Sequence, residues 1–312
     1  MTPNGMPVGV IGLGGMGTAY ARRLLGRGFP VLGFDIAEGA RERLHAAGGI
    51  VARNGSEVAS QCEVVLTAVD TVTAFDSVVD EILSSRGTGW VIDTNTVSRR
   101  QKERVRQALA RVGWSMLDCT VSGSPAMVLN DTYSFFVSGG VDSTCCVGRV
   151  IDCLASKVFD LGEFGNASTM KLIINHLLMV HNAAAAEAMS LGRKAGLPPS
   201  LIYDAVTSSG GSSRMFEIRG KAMAEDRHPA GTALELLVDK DGVAIADLAR
   251  SLRHPAPVFA AAYQAHMIGL AQGWGSLDPS AMSAVYESLS GQRPLGPTAA
   301  DLDETPAAEE TP

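Results

Sequence analysis

The sequence predicts an α/β fold: a Rossmann-type doubly wound, largely parallel sheet followed by an all-α C-terminal domain joined to it by a long helix. Three observations predict it. Short apolar runs alternate with amphipathic stretches through the first half. A glycine-rich turn, G-x-G-x-x-G, separates the first such run from the stretch that follows it. From Asn166 onward strand-like runs disappear and helical periodicity takes over.

The elements follow in order. Val8-Gly9-Val10-Ile11 reads as a short buried strand and Thr18 to Arg27 as the helix after the glycines. On that helix Ala19, Leu24 and Leu25 can face a sheet while Arg22, Arg23 and Arg27 stay in solvent. Pro30 to Asp35 is a second strand, and Arg41 and Arg43 fall on the solvent face of a helix starting near Glu38. Strands at Val64–Val69, Trp90–Asp93 and Trp114–Asp118 alternate with helices at Thr73–Ser84 and Arg99–Val112. Tyr133–Ser138 is a further strand, with a helix near Val141 to Ala155 and a short strand at Lys157–Asp160. Between Ala167 and Ala195 only Gly192 disfavours a helix, which would be about 45 Å long. Further helices are expected at Ser200–Thr207, Ser213–Ala224, Leu234–Leu252, Pro257–Gln272 and Pro279–Ser288. The expected domains are residues 1–165 (nucleotide-binding), 166–291 (all-α, substrate-binding and dimerising) and 292–312 (a disordered acidic tail). The tail assignment rests on four prolines and five acids among small residues.

The turn Gly12-Leu13-Gly14-Gly15-Met16-Gly17 has the context that gives this motif meaning: strand, glycines, helix, strand and acid. Glycines permit a tight turn and close backbone approach, and the helix N-terminus offers N–H groups to a pyrophosphate. Asp35, 18 residues after Gly17, stands where a ribose-binding acid is expected. A carboxylate there accepts from both ribose hydroxyls and repels a 2′-phosphate, so NAD is favoured over NADP.

Bulk properties restrict the possibilities. With 312 residues the chain can bury a large core; its net charge of −7 and lack of a basic block argue against nucleic acid. It has no run of 18 apolar residues and no signal-peptide pattern, so no membrane association and a cytoplasmic location are expected. The five cysteines form no C-x-x-C pair and no zinc spacing; reduced thiols and no metal are expected. Cys119 reads as a small buried apolar residue.

Four more features carry chemistry. Lys171 and Asn175 lie four apart on the long helix, hence on one face, as a proton acceptor and its orienting partner; a lysine reaching from a core helix to solvent is the alternative. Ser122, Gly123 and Ser124 leave a strand end, where they can hold a carboxylate or form an ordinary turn. Val69 ends a strand on the same sheet edge, and Thr96 can reach a nicotinamide or cap the next helix. Asp239-Lys240-Asp241 lies in a helical stretch, where a solvated charge cluster is the default.

Taken together, G-x-G-x-x-G, D-x-x-V-S-G, G-x-x-x-x-x-K-x-x-x-N and K-D, in this order over residues 6–290, resemble the β-hydroxyacid dehydrogenase family. That family includes 3-hydroxyisobutyrate, tartronate semialdehyde and L-threonate enzymes. His181–Ala188, Tyr203–Thr207 and Met215-Phe216-Glu217 resemble the L-threonate branch most. The resemblance implies NAD-dependent oxidation of the β-hydroxyl of a small 3-hydroxy acid. It implies Lys171 as general acid/base, Asn175 at the substrate hydroxyl, and Ser122, Gly123 and Ser124 at the carboxylate. Lys240 would contact cofactor or substrate with Asp241 supporting it, and Gly12 to Gly17, Asp35, Val69 and Thr96 would bind the cofactor.

Two departures from the family pattern bear on the substrate. Ser124-Pro125 replaces a commoner second glycine. Arg214 and Arg219 stand where relatives carry aromatic rings; Arg214 either clamps a polar substrate tail or pairs outward with Glu217. A homodimer or higher homo-oligomer through the all-α domain is expected, on the ground that the long helix exposes Ala183–Ala186 and Met189. The rival readings are an imine reductase on the same scaffold, which the lysine at 171 disfavours, and a non-catalytic nucleotide-binding protein.

Overall fold

The computed structural model describes residues 5–140, 145–228, 233–298 and 301. The chain forms two compact units, Met1–Lys171 and Leu172–Pro312.

The first unit is built on an eight-stranded sheet: β1 (Val8–Ile11), β2 (Val31–Phe34), β3 (Ile50–Val51), β4 (Val64–Thr67), β5 (Gly89–Asp93), β6 (Trp114–Ser122), β7 (Ser134–Ser138) and β8 (Val158–Asp160). Their order in the sheet is β3-β2-β1-β4-β5-β6-β7-β8. The pairs among β1 to β6 are parallel, β7 runs antiparallel to β6, and β8 is parallel to β7. The sequence reading passed over β3 and α3 (Gly55–Gln61), both short. The remaining helices here are α1 (Gly15–Gly26), α2 (Glu38–Ala46), α4 (Val72–Ser84), α5 (Arg99–Ala110), α6 (Pro125–Leu129) and α7 (Cys146–Leu154). The expected helix start at residues 141–144 lies outside the described residues.

Both sheet faces are covered. Tyr20, Leu24, Leu117, Phe135, Val150 and Leu154 form one core. Val58, Phe75, Ile82, Val105, Leu109 and Trp114 form the other. This is why the central strands read as continuous apolar runs rather than alternating ones. Arg23, expected in solvent, is buried: its guanidinium pairs with Asp131 at 2.7 Å and donates to the Cys153 and Val128 carbonyls. Its turn of α1 faces α6 and α7, so the helix has two buried flanks instead of one.

The second unit begins inside α8 (Asn166–Lys194), and its division from the first falls after 171 rather than at 165. The first turn of α8 is fastened to the sheet: Thr120 Oγ1 donates to the Ala167 carbonyl at 2.9 Å, and the Ala167 N–H donates to Ser138 Oγ at 3.0 Å. The other helices are α9 (Pro199–Thr207), α10 (Arg214–Glu225), α11 (Leu234–Leu236), α12 (Val243–Ser251), α13 (Pro257–Ala271) and α14 (Met282–Leu289). A π-helical turn, Leu237–Gly242, joins α11 to α12 where one continuous helix was expected.

Ala185, Ala186 and Met189 pack with Phe216, Met223, Trp274 and Met282 in this unit's core, and Ala183 is buried too. This corrects the expectation that the small-residue run is exposed. Only Ala184 of that run faces solvent; the exposed apolar groups of α8 are Ile173, Leu177, Ala184, Ala188 and Leu191. Residues 292–298, assigned to a disordered tail, are anchored at their start. Arg293 pairs with Asp226 at 3.1 Å and with Asp301 at 3.0 Å, and its guanidinium lies over the Trp274 ring. The rest of the expected tail, 302–312, lies outside the described residues.

Candidate functional site

The glycine turn is a consequence of close packing. Gly12 has φ +88°, and a Cβ on it would collide with the Ala68 carbonyl and press on Val69. A Cβ on Gly17 would collide with the Gly12 carbonyl, so α1 starts close against β1 only if both are glycine. Gly14 differs: the nearest atom to a Cβ there is Asp70 Oδ2 at 3.9 Å, leaving room beside the backbone. Gly14 caps α1 without a side-chain bond, and no acid stands in the first turn. The first N–H groups of α1 are therefore available to an anion. A cavity of about 200 Å³ adjoins them, lined by Thr18, Arg22, Arg43 and Pro125 among others.

At the end of β2, Asp35 accepts from the Leu13 N–H at 2.6 Å and the Ala37 N–H at 2.8 Å. Each carboxylate oxygen keeps a lone pair for a ribose hydroxyl. Arg41 is not simply on the solvent face of α2: its Nη1 donates to the Asp35 and Ile36 carbonyls. The guanidinium thus closes the turn after β2. Room at Gly14, an uncapped helix end and an acid at the β2 terminus together fit a dinucleotide with free ribose hydroxyls.

Along the same sheet edge, the Val69 N–H donates to Asn95 Oδ1 at 2.6 Å. Thr96 is half-buried and is not the cap of α5; Ser98 is, accepting from Gln101 N–H. Ser122 is half-buried at the end of β6, and Gly123 and Ser124 are exposed beyond it. Gly123 must be glycine, since a Cβ would sit 2.6 Å from Tyr133 Cβ. Ser124 caps α6 with Pro125 at its first position, which accounts for the Ser-Pro pair. Burial pushes the Cys119 thiol well up, so it offers no thiolate.

Lys171 is half-buried in the second turn of α8. Asn175, one turn further on the same face, is buried, and its Oδ1 has no hydrogen-bond partner among the described residues. A buried amide acceptor without a partner is costly, and a ligand hydroxyl would satisfy it.

In the second unit Lys240 and Asp241 are half-buried on the π-helical turn, not on a solvated α-helical face. Such turns are frequent where function demands an odd helical register. Arg214, the first residue of α10, pairs with Glu217 at 3.0 Å in an exposed i,i+3 pair; the outward alternative is the one displayed. Arg219 is buried against Asp278 at 3.1 Å and serves packing.

Sequence reasoning missed a buried group in the first unit. Lys102 of α5 pairs with Asp93 at 2.8 Å and Asp118 at 2.7 Å, with all three side chains fully buried. Desolvation alone would lower the Lys102 pKa, but the two carboxylates outweigh it and hold it above its ordinary value. Against its own desolvation, Asp118 is held below the usual carboxylate range by Lys102 and Ser168.

Comparison with known proteins agrees with this geometry. Residues 7–162 match the model of the NAD binding domain of 6-phosphogluconate dehydrogenase. Residues 165–286 match that of the NAD-binding region of NADP-dependent 3-hydroxyisobutyrate dehydrogenase. The chain is 34% identical to an L-threonate dehydrogenase of Cupriavidus necator over 290 residues, 90% of this chain and 96% of that protein. A 3-hydroxyisobutyrate dehydrogenase structure from Salmonella typhimurium superposes with a TM-score of 0.82 at 30% identity, covering 90% of this chain and all of that one. One from Mycobacterium tuberculosis, with L-serine, gives 0.79 at 26% identity over 91% of this chain and 99% of that one. With the glycine turn, the acid and the lysine in the family's order, the chain belongs to the NAD-dependent β-hydroxyacid dehydrogenases.

Proposed function

We propose that the protein oxidises a hydroxyl of a small polyhydroxy acid of the L-threonate type, with Lys171 as the proton acceptor. The observation that carries the reading is the Lys171–Asn175 pair on one face of α8, with the buried Asn175 Oδ1 still lacking a partner. The substrate class rests on the similarity to the Cupriavidus enzyme over nearly the whole chain.

NAD⁺, when bound, accepts the hydride. The chain's own residues do the rest. Gly14 and the α1 N-terminus bind the pyrophosphate, Asp35 the ribose hydroxyls, and Val69 and Thr96 flank the sheet edge beyond. Ser122, with the Gly123 backbone and Ser124, holds the substrate carboxylate. Lys171 Nζ removes the proton from the hydroxyl, and Asn175 fixes that hydroxyl's direction. Lys240 and Asp241 are the second unit's polar contribution to ligand binding, by family resemblance. Arg214, engaged by Glu217, has no assigned part.

We further infer a homodimer. Ile173, Leu177, Ala184, Ala188 and Leu191 recur at helical spacing along the exposed face of α8, a stripe suited to another helix. A cytoplasmic location is inferred from a chain whose cysteines form no disulfide. Among the described residues no helix is long and apolar enough to cross a membrane.

The test is a panel of L-threonate, 3-hydroxyisobutyrate, tartronate semialdehyde (as NADH oxidation) and cyclic imines. L-Threonate should give the highest kcat/KM, at least about tenfold above 3-hydroxyisobutyrate. Preference for 3-hydroxyisobutyrate would reverse the substrate assignment. Turnover of imines alone would displace the reaction class.

A further inference from the structure

Thr67, Asp93, Asp118 and Ser138 are register partners across β4, β5, β6 and β7. Register partners point to the same face, so four polar side chains form one row across the sheet, all buried. Lys102 rises from α5 between the two acids. Two carboxylates and one ammonium leave one negative charge in the interior. That charge faces the start of α8: Asp118 accepts from the Ser168 N–H at 2.8 Å and Ser168 Oγ at 2.7 Å. Ser168 lies in the first turn of a 29-residue helix, where N–H groups lack intrahelical partners and the helix dipole favours an anion.

The row also extends the other way. Asp93 Oδ1 accepts from Thr67 Oγ1 at 2.9 Å and from the Asn95 amide. Asn95 Oδ1 in turn accepts from the Val69 N–H at 2.6 Å. Val69 packs against Gly12 of the glycine turn. A continuous chain of charge-assisted bonds thus joins the backing of that turn to the first turn of α8. Buried ion pairs seldom stabilise more than apolar packing of the same volume, so stability alone is a weak reason for this one. What an apolar row cannot provide is direction.

We propose that Asp93, Lys102 and Asp118 are positioning residues: through Ser168 they fix the start of α8, and with it Lys171 three residues on, relative to the strand end that backs the cofactor turn. This rests on the assignment of Lys171 as proton acceptor.

The test uses the full chain and the hydroxy acid it oxidises fastest. Ser168→Ala removes the side-chain bond to Asp118 and keeps the backbone one; Ser168→Thr restores a hydroxyl. Ser168→Ala should lower kcat about tenfold, a moderate effect for a reacting group displaced by a fraction of an ångström. Its KM for NAD should stay within about twofold, and Ser168→Thr should recover most of kcat. At the far end, Thr67→Val should lower kcat and Thr67→Ser should not. An unchanged kcat in Ser168→Ala overturns the proposal. So does a loss that Thr does not restore, or one matched by weaker NAD binding, since general damage would explain either. Should Ser168→Ala fail to fold, equal kcat for Thr67→Val and Thr67→Ser overturns it. Lys171→Ala is measured alongside. Retained turnover there removes the base assignment and this proposal together, whereas its loss beside a normal Ser168→Ala removes only the positioning role.

Discussion

The Leu13 backbone N–H donates to Asp35 Oδ2 at 2.6 Å, so the acid that ends β2 also holds the glycine turn that opens α1. One carboxylate thereby couples two halves of the dinucleotide site. A 2′-phosphate brought to it would meet a like charge and disturb the turn. NAD should exceed NADP in kcat/KM by at least about tenfold, or about 1.4 kcal/mol, and Asp35→Asn should narrow the ratio. Equal use of both cofactors by the wild type would sink this.

Lys171→Ala should fold and bind NAD as the wild type does, yet lose on the order of 10²–10⁴ in kcat. Dinucleotide binding by fluorescence and single-turnover rates check the two halves separately. A turnover near wild type would move the proton transfer to another group.

The apolar stripe on α8 predicts the effect of charge at its ends. Leu191, 69% exposed, and Leu177, 47% exposed, should become interface residues in a dimer. Leu177→Asp with Leu191→Asp should shift the species seen by light scattering from dimer to monomer at micromolar concentration. A monomeric wild type would dispose of the interface.

Acid stability should respond to Asp226. His228 faces it at 3.3 Å and Arg293 at 3.1 Å, and chiefly through His228 its pKa is lowered to about 2 despite partial burial. A folded pKa below the unfolded value of about 3.9 gives stability that is present above that value and lost as pH falls towards 2. The melting-temperature gap between wild type and Asp226→Asn should therefore shrink from about pH 5 to about pH 3. A gap constant over that range would show that Asp226 acts through packing alone.

Much of this was legible beforehand because it depends on local pattern. The strand–glycine–helix–strand–acid order is a backbone requirement, and Gly12 and Gly17 could be read from it directly. What escaped depends on which helix face meets which strand. Lys102 stands on the buried stripe of α5 with Val105 and Leu109, and such a lysine looks like a surface group until its partners arrive from β5 and β6. Its one sequence signal is that Asp93 and Asp118 occur in otherwise apolar strands. The alanine run on α8 was misjudged for a related reason: small residues allow close approach but do not say whether the neighbour is this chain or another. Arg23 and Arg41 were both expected in solvent, where most arginines are; carbonyls from loops distant in sequence or folded back on the helix engage them instead.

The π-helical turn between Leu237 and Gly242 carries a consequence for how this stretch can change over evolutionary time. A π-helical turn holds one residue more than an α-helix needs, so the bearing of Lys240 is set by residue count as much as by residue type. Excising one residue would let the stretch close as ordinary α-helix and swing everything beyond it by about 100°. Ile245 would leave its core with Leu172 and Phe259, and Gly242 would no longer lie under the Tyr263 ring. Side chains here can be exchanged one at a time, whereas an insertion or deletion disrupts polar face and core together.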